Sequence, residues 1–133
     1  MPGDATHDKA PTLDEIAALA RAALETIPDA LRRHVTSVPI RVEEFPDEET
    51  ESEMGLESPF DLLGLYRGVS LDRQGSSDLP REPDMIFLYR RPLLDFWCES
   101  GENLNQLIRH VLIHEIGHHF GLSAADMEAL EAN

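Results

Sequence analysis

Cysteine is almost missing. Cys98 stands alone among 133 residues, which excludes an internal disulfide and leaves cohesion to a hydrophobic core. A lone thiol of this kind is expected to be buried as a small hydrophobe, not reactive. Basic residues are scarce as well: 11 Lys and Arg face 26 Asp and Glu, a net charge of -15. Nucleic acid and anionic membranes both need basic surface, so neither is expected as a partner. No apolar run approaches the roughly 20 residues that span a bilayer. The polar stretch from Met1 to Pro11 has no apolar core of an export signal, and the expected location is the cytoplasm. Internal repeats, a phosphate-binding loop and a dinucleotide glycine pattern are also missing. Hydrophobic content is ordinary at 41%, and a chain of this length supports one core but not two.

Taken in order, residues 1–11 read as a flexible tail that carries His7, and residues 12–133 as a single domain. Thr12 followed by Glu15 forms a capping-box pattern. Ile16, Leu19, Ala20, Ala23, Leu24 and Ile27 then repeat at helical spacing up to Pro28, with a short turn over Leu31 to His34. Val38 to Phe45 reads as a strand, and Pro39 favours an edge position. The acidic run Glu43 to Glu57 holds a short helix from Asp47 to Met54, ended by Gly55. It lacks the Asp/Asn/Gly spacing of a calcium loop. Leu62 to Val69 and Met85 to Arg91 are further strands, separated by a loop from Ser70 to Pro83 and stopped by Pro92. Leu93 to Cys98 reads as a helical turn. The sum is an α+β fold with a small mixed sheet of about three strands, packed on the helix that begins after Asn103.

That helix carries the chemistry. Asn103 suits its N-cap, Gly121 its left-handed end. At about 100° per residue, Leu104, Leu107, Ile108 and Val111 share one stripe with Glu115 and His118, and His114 lies at its edge. Ile113, Ile116 and Phe120 fall on the opposite side, so the helix is packed on two faces. His114-Glu115-Ile116-Gly117-His118 is an H-E-x-x-H sequence, and each fixed position has a reason. Imidazoles four residues apart lie one above the other and can converge on a zinc ion. Glu115 then sits beside a metal-bound water, placed to act as general base.

Four stretches in order add specificity: Glu44-Phe45-Pro46-Asp47-Glu48, Leu62 to Gly68, Ile86 to Pro92, and His114 to Ser123. Together they resemble the small bacterial zincin-like metallopeptidase family, the minimal metalloproteases, from about Val38 to Glu128. The resemblance implies a cut-down zincin fold, zinc as cofactor, His114 and His118 as metal ligands and Glu115 as catalytic base. Longer zincin motifs place a third ligand where this chain has Ala124, which cannot bind metal. Asp126 is the nearest substitute, and it equally completes a capping box with Ser123. Glu128, Glu131 and His110 are further options, although a downstream glutamate ligand asks for a longer following segment. Two readings follow: a zinc-dependent peptidase acting on a peptide or protein substrate, and a non-catalytic zincin scaffold binding a peptide or protein partner. Tyr66 or Tyr89 is a candidate to stabilise an oxyanion, and strand Met85 to Arg91, if at the sheet edge, a candidate to bind peptide by strand addition.

Overall fold

The computed structural model describes residues 9–68 and 83–132. Among these are six α-helices and a three-stranded mixed sheet. His7 and nearly all of the expected loop from Ser70 to Pro83 lie outside the described residues. The end of the expected tail is anchored: Pro11 is buried, and its carbonyl accepts from Arg90 Nε at 2.6 Å.

Helix α1 (Leu13–Leu24) starts at the Thr12–Glu15 capping box, with both reciprocal hydrogen bonds formed. Its Ile16, Ala20 and Ala23 are buried, as the helical spacing requires. After the short α2 (Asp29–Arg32) come β1 (Ile40–Glu43), the acidic α3 (Glu48–Met54) and β2 (Gly64–Arg67). Asp47 caps α3 through the Thr50 amide at 2.7 Å, and Gly55 ends it at φ 63°. Arg67 Nη2 donates to Thr50 Oγ1 at 2.7 Å, so the acidic helix is tied to β2.

Strand β3 (Met85–Tyr89) occupies the middle of the sheet, in the order β1-β3-β2. It is therefore not the edge strand that peptide addition there would need. Its neighbours explain the placement. β1 pairs with it in parallel, Ile40 opposite Ile86, and β2 pairs antiparallel, Tyr66 opposite Ile86. A strand flanked on both sides suits the unbroken apolar run from Met85 to Tyr89. Pro39 sits at the start of an edge strand, where a missing N–H costs no ladder bond.

The chain differs from expectation where β3 ends. Strand geometry stops at Tyr89, and α4 (Arg90–Ser100) begins at once, longer than the expected turn from Leu93 to Cys98. Pro92 does not stop a strand; it lies in the first helical turn, where the N–H groups have no helical acceptor and its absence is harmless. Pro92, Leu93 and Trp97 form the buried face of α4. Cys98 follows Trp97 by about 100° around the helix, which turns the thiol to solvent instead of the core.

Helix α5 (Leu104–His119) lies beneath the sheet and packs on α1, α2, α4, β2 and the last helix, α6 (Ala124–Glu131). Gly64 sets the distance between β2 and α5. A Cβ there would stand 2.8 Å from Val111 Cγ1 and 3.0 Å from the Phe87 carbonyl oxygen. The carbonyl belongs to the neighbouring strand and cannot yield without breaking the ladder. Gly64→Ala is therefore expected to lower unfolding free energy by about 1–3 kcal/mol, measured by urea denaturation; an unchanged midpoint would refute this packing account.

Candidate metal and catalytic site

The middle of α5 is buried nearly all round: Leu104, Leu107, Ile108, Val111, Leu112, Ile113, Ile116 and Gly117 are all inside. Beyond Asn105, Gln106 and Arg109 in its first turns, polar side chains emerge at His110, His114, Glu115, His118 and His119. Asn103 Oδ1 caps the start of the helix, accepting from the Asn105 and Gln106 amides at 2.9 and 3.3 Å. The helix ends in a paired turn. Leu122 N–H donates to the Gly117 carbonyl at 2.9 Å, Gly121 N–H donates to the His118 carbonyl at 3.2 Å, and Gly121 takes φ 76°. These are the two bonds of a Schellman motif, and they reverse the chain into α6.

Glu115 faces the edge of the sheet. In an antiparallel ladder alternate residues turn their amides toward the partner strand. The Tyr89 amide donates to the Leu63 carbonyl at 3.0 Å, which leaves the Tyr66 amide on the outer side of β2. There it donates to the Glu115 carboxylate. Burial raises the Glu115 pKa above the ordinary glutamate value; the nearby His118 and the Tyr66 amide oppose that rise without cancelling it. The side chain is half-buried, held, and poised above the usual carboxylate range.

The three histidines on successive turns of α5 are not equivalent. His114 and His118 rings have centroids 6.0 Å apart and stand nearly perpendicular, at 86°. His110 and His114 lie closer, at 4.1 Å, and a carboxylate from α6 reaches a ring nitrogen of each. Glu131 Oε1 meets His110 Nδ1 at 2.5 Å, and Glu131 Oε2 meets His114 Nε2 at 3.3 Å. One donor atom from each of His110, His114 and Glu131 lies within 4.8 Å of the others, which makes them the described group of this kind able to hold a metal ion. Imidazole nitrogens and a carboxylate are donors that zinc accepts. His118, exposed one turn further on, is outside that group. So is Asp126, the substitute considered for the position of Ala124. Its Oδ2 accepts from the Ser123 amide at 3.3 Å while its own amide donates to Ser123 Oγ at 3.1 Å. The structure gives Asp126 the capping role, at the rim of an open cavity of about 550 Å³ lined by Leu31, His34, Phe120, Leu122 and Leu130.

Gly117 explains how Glu131 arrives. A Cβ at Gly117 would lie 2.5 Å from Met127 Sδ, so glycine leaves the room into which the Met127 side chain packs as α6 meets α5. The helix then runs back along α5, and Glu131, one turn beyond Met127, reaches the level of His114 and His110. A signal for this was present in the sequence: Met127 and Glu131 share a helical face four residues apart, and a chain reversal at Gly121 brings that face onto α5.

The tyrosines have other partners. Tyr89 is 2% exposed, and its pKa is pushed up to about 12, burial being the main cause; a phenol this deep meets no substrate. Tyr66 donates to Asp84 Oδ2 at 2.8 Å and stacks on His119 at 3.9 Å. Burial raises the Tyr66 pKa and lowers that of His119. His34 stacks on Phe120 with centroids 4.7 Å apart, a packing role.

A family model described as zincin-like metallopeptidase matches residues 35–133. No curated protein matches the chain. Among the described residues no helix is long and apolar enough to cross a membrane.

The Glu115 environment sets a pH dependence. Its carboxyl binds a proton more tightly folded than unfolded, so ionisation favours unfolding. The penalty is absent below the ordinary glutamate range and develops as pH rises through the raised folded value. In chelator-treated protein, Glu115→Gln should therefore gain stability over the wild type as pH goes from about 4 to about 7. Urea midpoints across that range check this; a difference that does not change with pH contradicts it.

Proposed function

Because the chain belongs to the zincin-like metallopeptidase family, we propose that it is a zinc-dependent peptidase cleaving a peptide or protein substrate, with Glu115 as general base. The observation that carries the reading is the Glu115 carboxylate, half-buried on the open turn of α5 and held by the Tyr66 amide. His114 and His118 would hold the metal, which when bound supplies a water of lowered pKa and polarises the scissile carbonyl.

Glu115 takes a proton from the attacking water onto its carboxylate and then delivers it to the leaving amine nitrogen. A carboxyl whose pKa sits above the ordinary range is better matched to returning that proton than a fully solvated one. The Tyr66 amide restricts the carboxylate to one orientation, so little ordering remains at the moment of transfer. The substrate lies extended along the outer edge of β2, where backbone groups engaged neither with β3 nor with Glu115 offer strand-like hydrogen bonds. That edge, not β3, is the one beside Glu115. A net charge of -15 favours neutral or basic peptides over acidic ones.

Ala124 supports a second reading, a scaffold that binds peptide in the same cleft without cleaving it. The two separate cleanly. With zinc supplied, the wild type should hydrolyse unstructured peptides, and Glu115→Gln should reduce the rate by at least about 100-fold while retaining its zinc. Hydrolysis that survives Glu115→Gln refutes the base assignment. A zinc-loaded wild type that binds peptide without cutting it, and whose binding persists in His114→Ala, establishes the scaffold.

A further inference from the structure

We propose that His110, His114 and Glu131 form a second divalent-cation site, suited to zinc, that shares His114 with the H-E-x-x-H pair. The argument begins with spacing. A tetrahedral zinc ion with bonds of about 2.0–2.1 Å sets its donor atoms about 3.3 Å apart. His114 Nε2 and Glu131 Oε2 are 3.3 Å apart, longer than the usual N–H···O hydrogen bond of about 2.9–3.0 Å. The other carboxylate oxygen hydrogen-bonds with His110 Nδ1 at 2.5 Å, closer than two donors of one ion stand, so that pair opens as an ion enters. Glu131 thus spans two imidazoles on one face of α5. Two imidazoles and a carboxylate are a donor set found at catalytic zinc centres.

The cluster is also built, not merely adjacent. Met127 seats α6 against Gly117. Arg109 Nη1 donates to the Glu131 carbonyl at 3.3 Å, and the same guanidinium donates to Thr26 Oγ1 and Thr26 O at 3.0 and 3.2 Å. The backbone of Glu131 is thereby fastened to α5 and to the end of α1. His110 is exposed while His114 and Glu131 are half-buried, so an ion has a path from solvent and a partly desolvated seat.

Sharing His114 has a chemical consequence. Nε2 of an imidazole has one lone pair, so an ion held with Glu131 withdraws His114 from the pair with His118. The site lies one turn further from Glu115, and its occupancy opposes metal binding at the H-E-x-x-H pair.

The test uses the full chain in a His118→Ala background, where that pair is broken. Zinc titrated calorimetrically should bind at one per chain, and cobalt(II) should give the visible absorption of tetrahedral coordination. Adding Glu131→Gln or His110→Gln should weaken zinc by at least about 10-fold, whereas adding Asp126→Ala should not. A His118→Ala protein that keeps the wild-type circular dichroism and takes up no zinc overturns the proposal. So does zinc binding that is indifferent to Glu131→Gln and His110→Gln, or that is lost with Asp126→Ala instead. These readouts concern metal in a protein without His118, so they can fail or succeed independently of Glu115-dependent peptide hydrolysis.

Discussion

Helix α5 is apolar over so much of its circumference that its polar groups surface only where a neighbour leaves a gap. Each of its eight buried residues that carries a large aliphatic side chain contributes about 1.5–3 kcal/mol of burial, and helices α1, α2, α4 and α6 with strand β2 supply the cover. That demand fixes the rotation of the helix. Once Leu104, Ile108, Leu112 and Ile116 are inside, the exposed arc falls on His110, His114 and His118, and Glu115 is pressed toward the sheet. The site is what the core leaves uncovered.

Two neighbours then finish the arrangement from opposite sides, each through a glycine. Gly64 allows β2 to approach Val111, which brings the Tyr66 amide to Glu115. Gly117 allows α6 to approach through Met127, which brings Glu131 to the histidines. A methyl group at either position would press on a neighbour that positions the site: Val111 and the Phe87 carbonyl at Gly64, Met127 at Gly117.

Much of this was legible from local rules. The boxes at Thr12–Glu15 and Ser123–Asp126, and the left-handed glycines Gly55 and Gly121, depend on residues a few positions apart, and they form as the spacing requires. The family and its α+β fold were legible for a similar reason, since ordered motifs reflect local geometry. What misled were features decided by distant partners. Met85 to Tyr89 reads as a strand wherever it lies; only the pairing of both β1 and β2 with it makes it central. Pro92 reads as a terminator unless the strand has already ended and a helix begun. Cys98 reads as buried by residue type, yet its place beside Trp97 on a one-sided helix turns it out. Glu131 ranks only among the further options in the sequence, because a downstream glutamate ligand is expected to need a longer segment after the motif. The tight reversal at Gly121 nevertheless brings it to His110 and His114.

The reversal at Gly121 also separates near contacts in the chain from distant ones. The contacts of Glu131 with His114 and His110 close over 17 and 21 residues within one helical hairpin, a short loop with a small entropic cost. The contact of Tyr66 with Glu115 requires the sheet, whose parallel pair joins Ile40 to Ile86, and distant pairings of that kind are slow to assemble. The contacts of Glu131 are thus local to one helical hairpin, whereas the seat of Glu115 depends on the whole sheet.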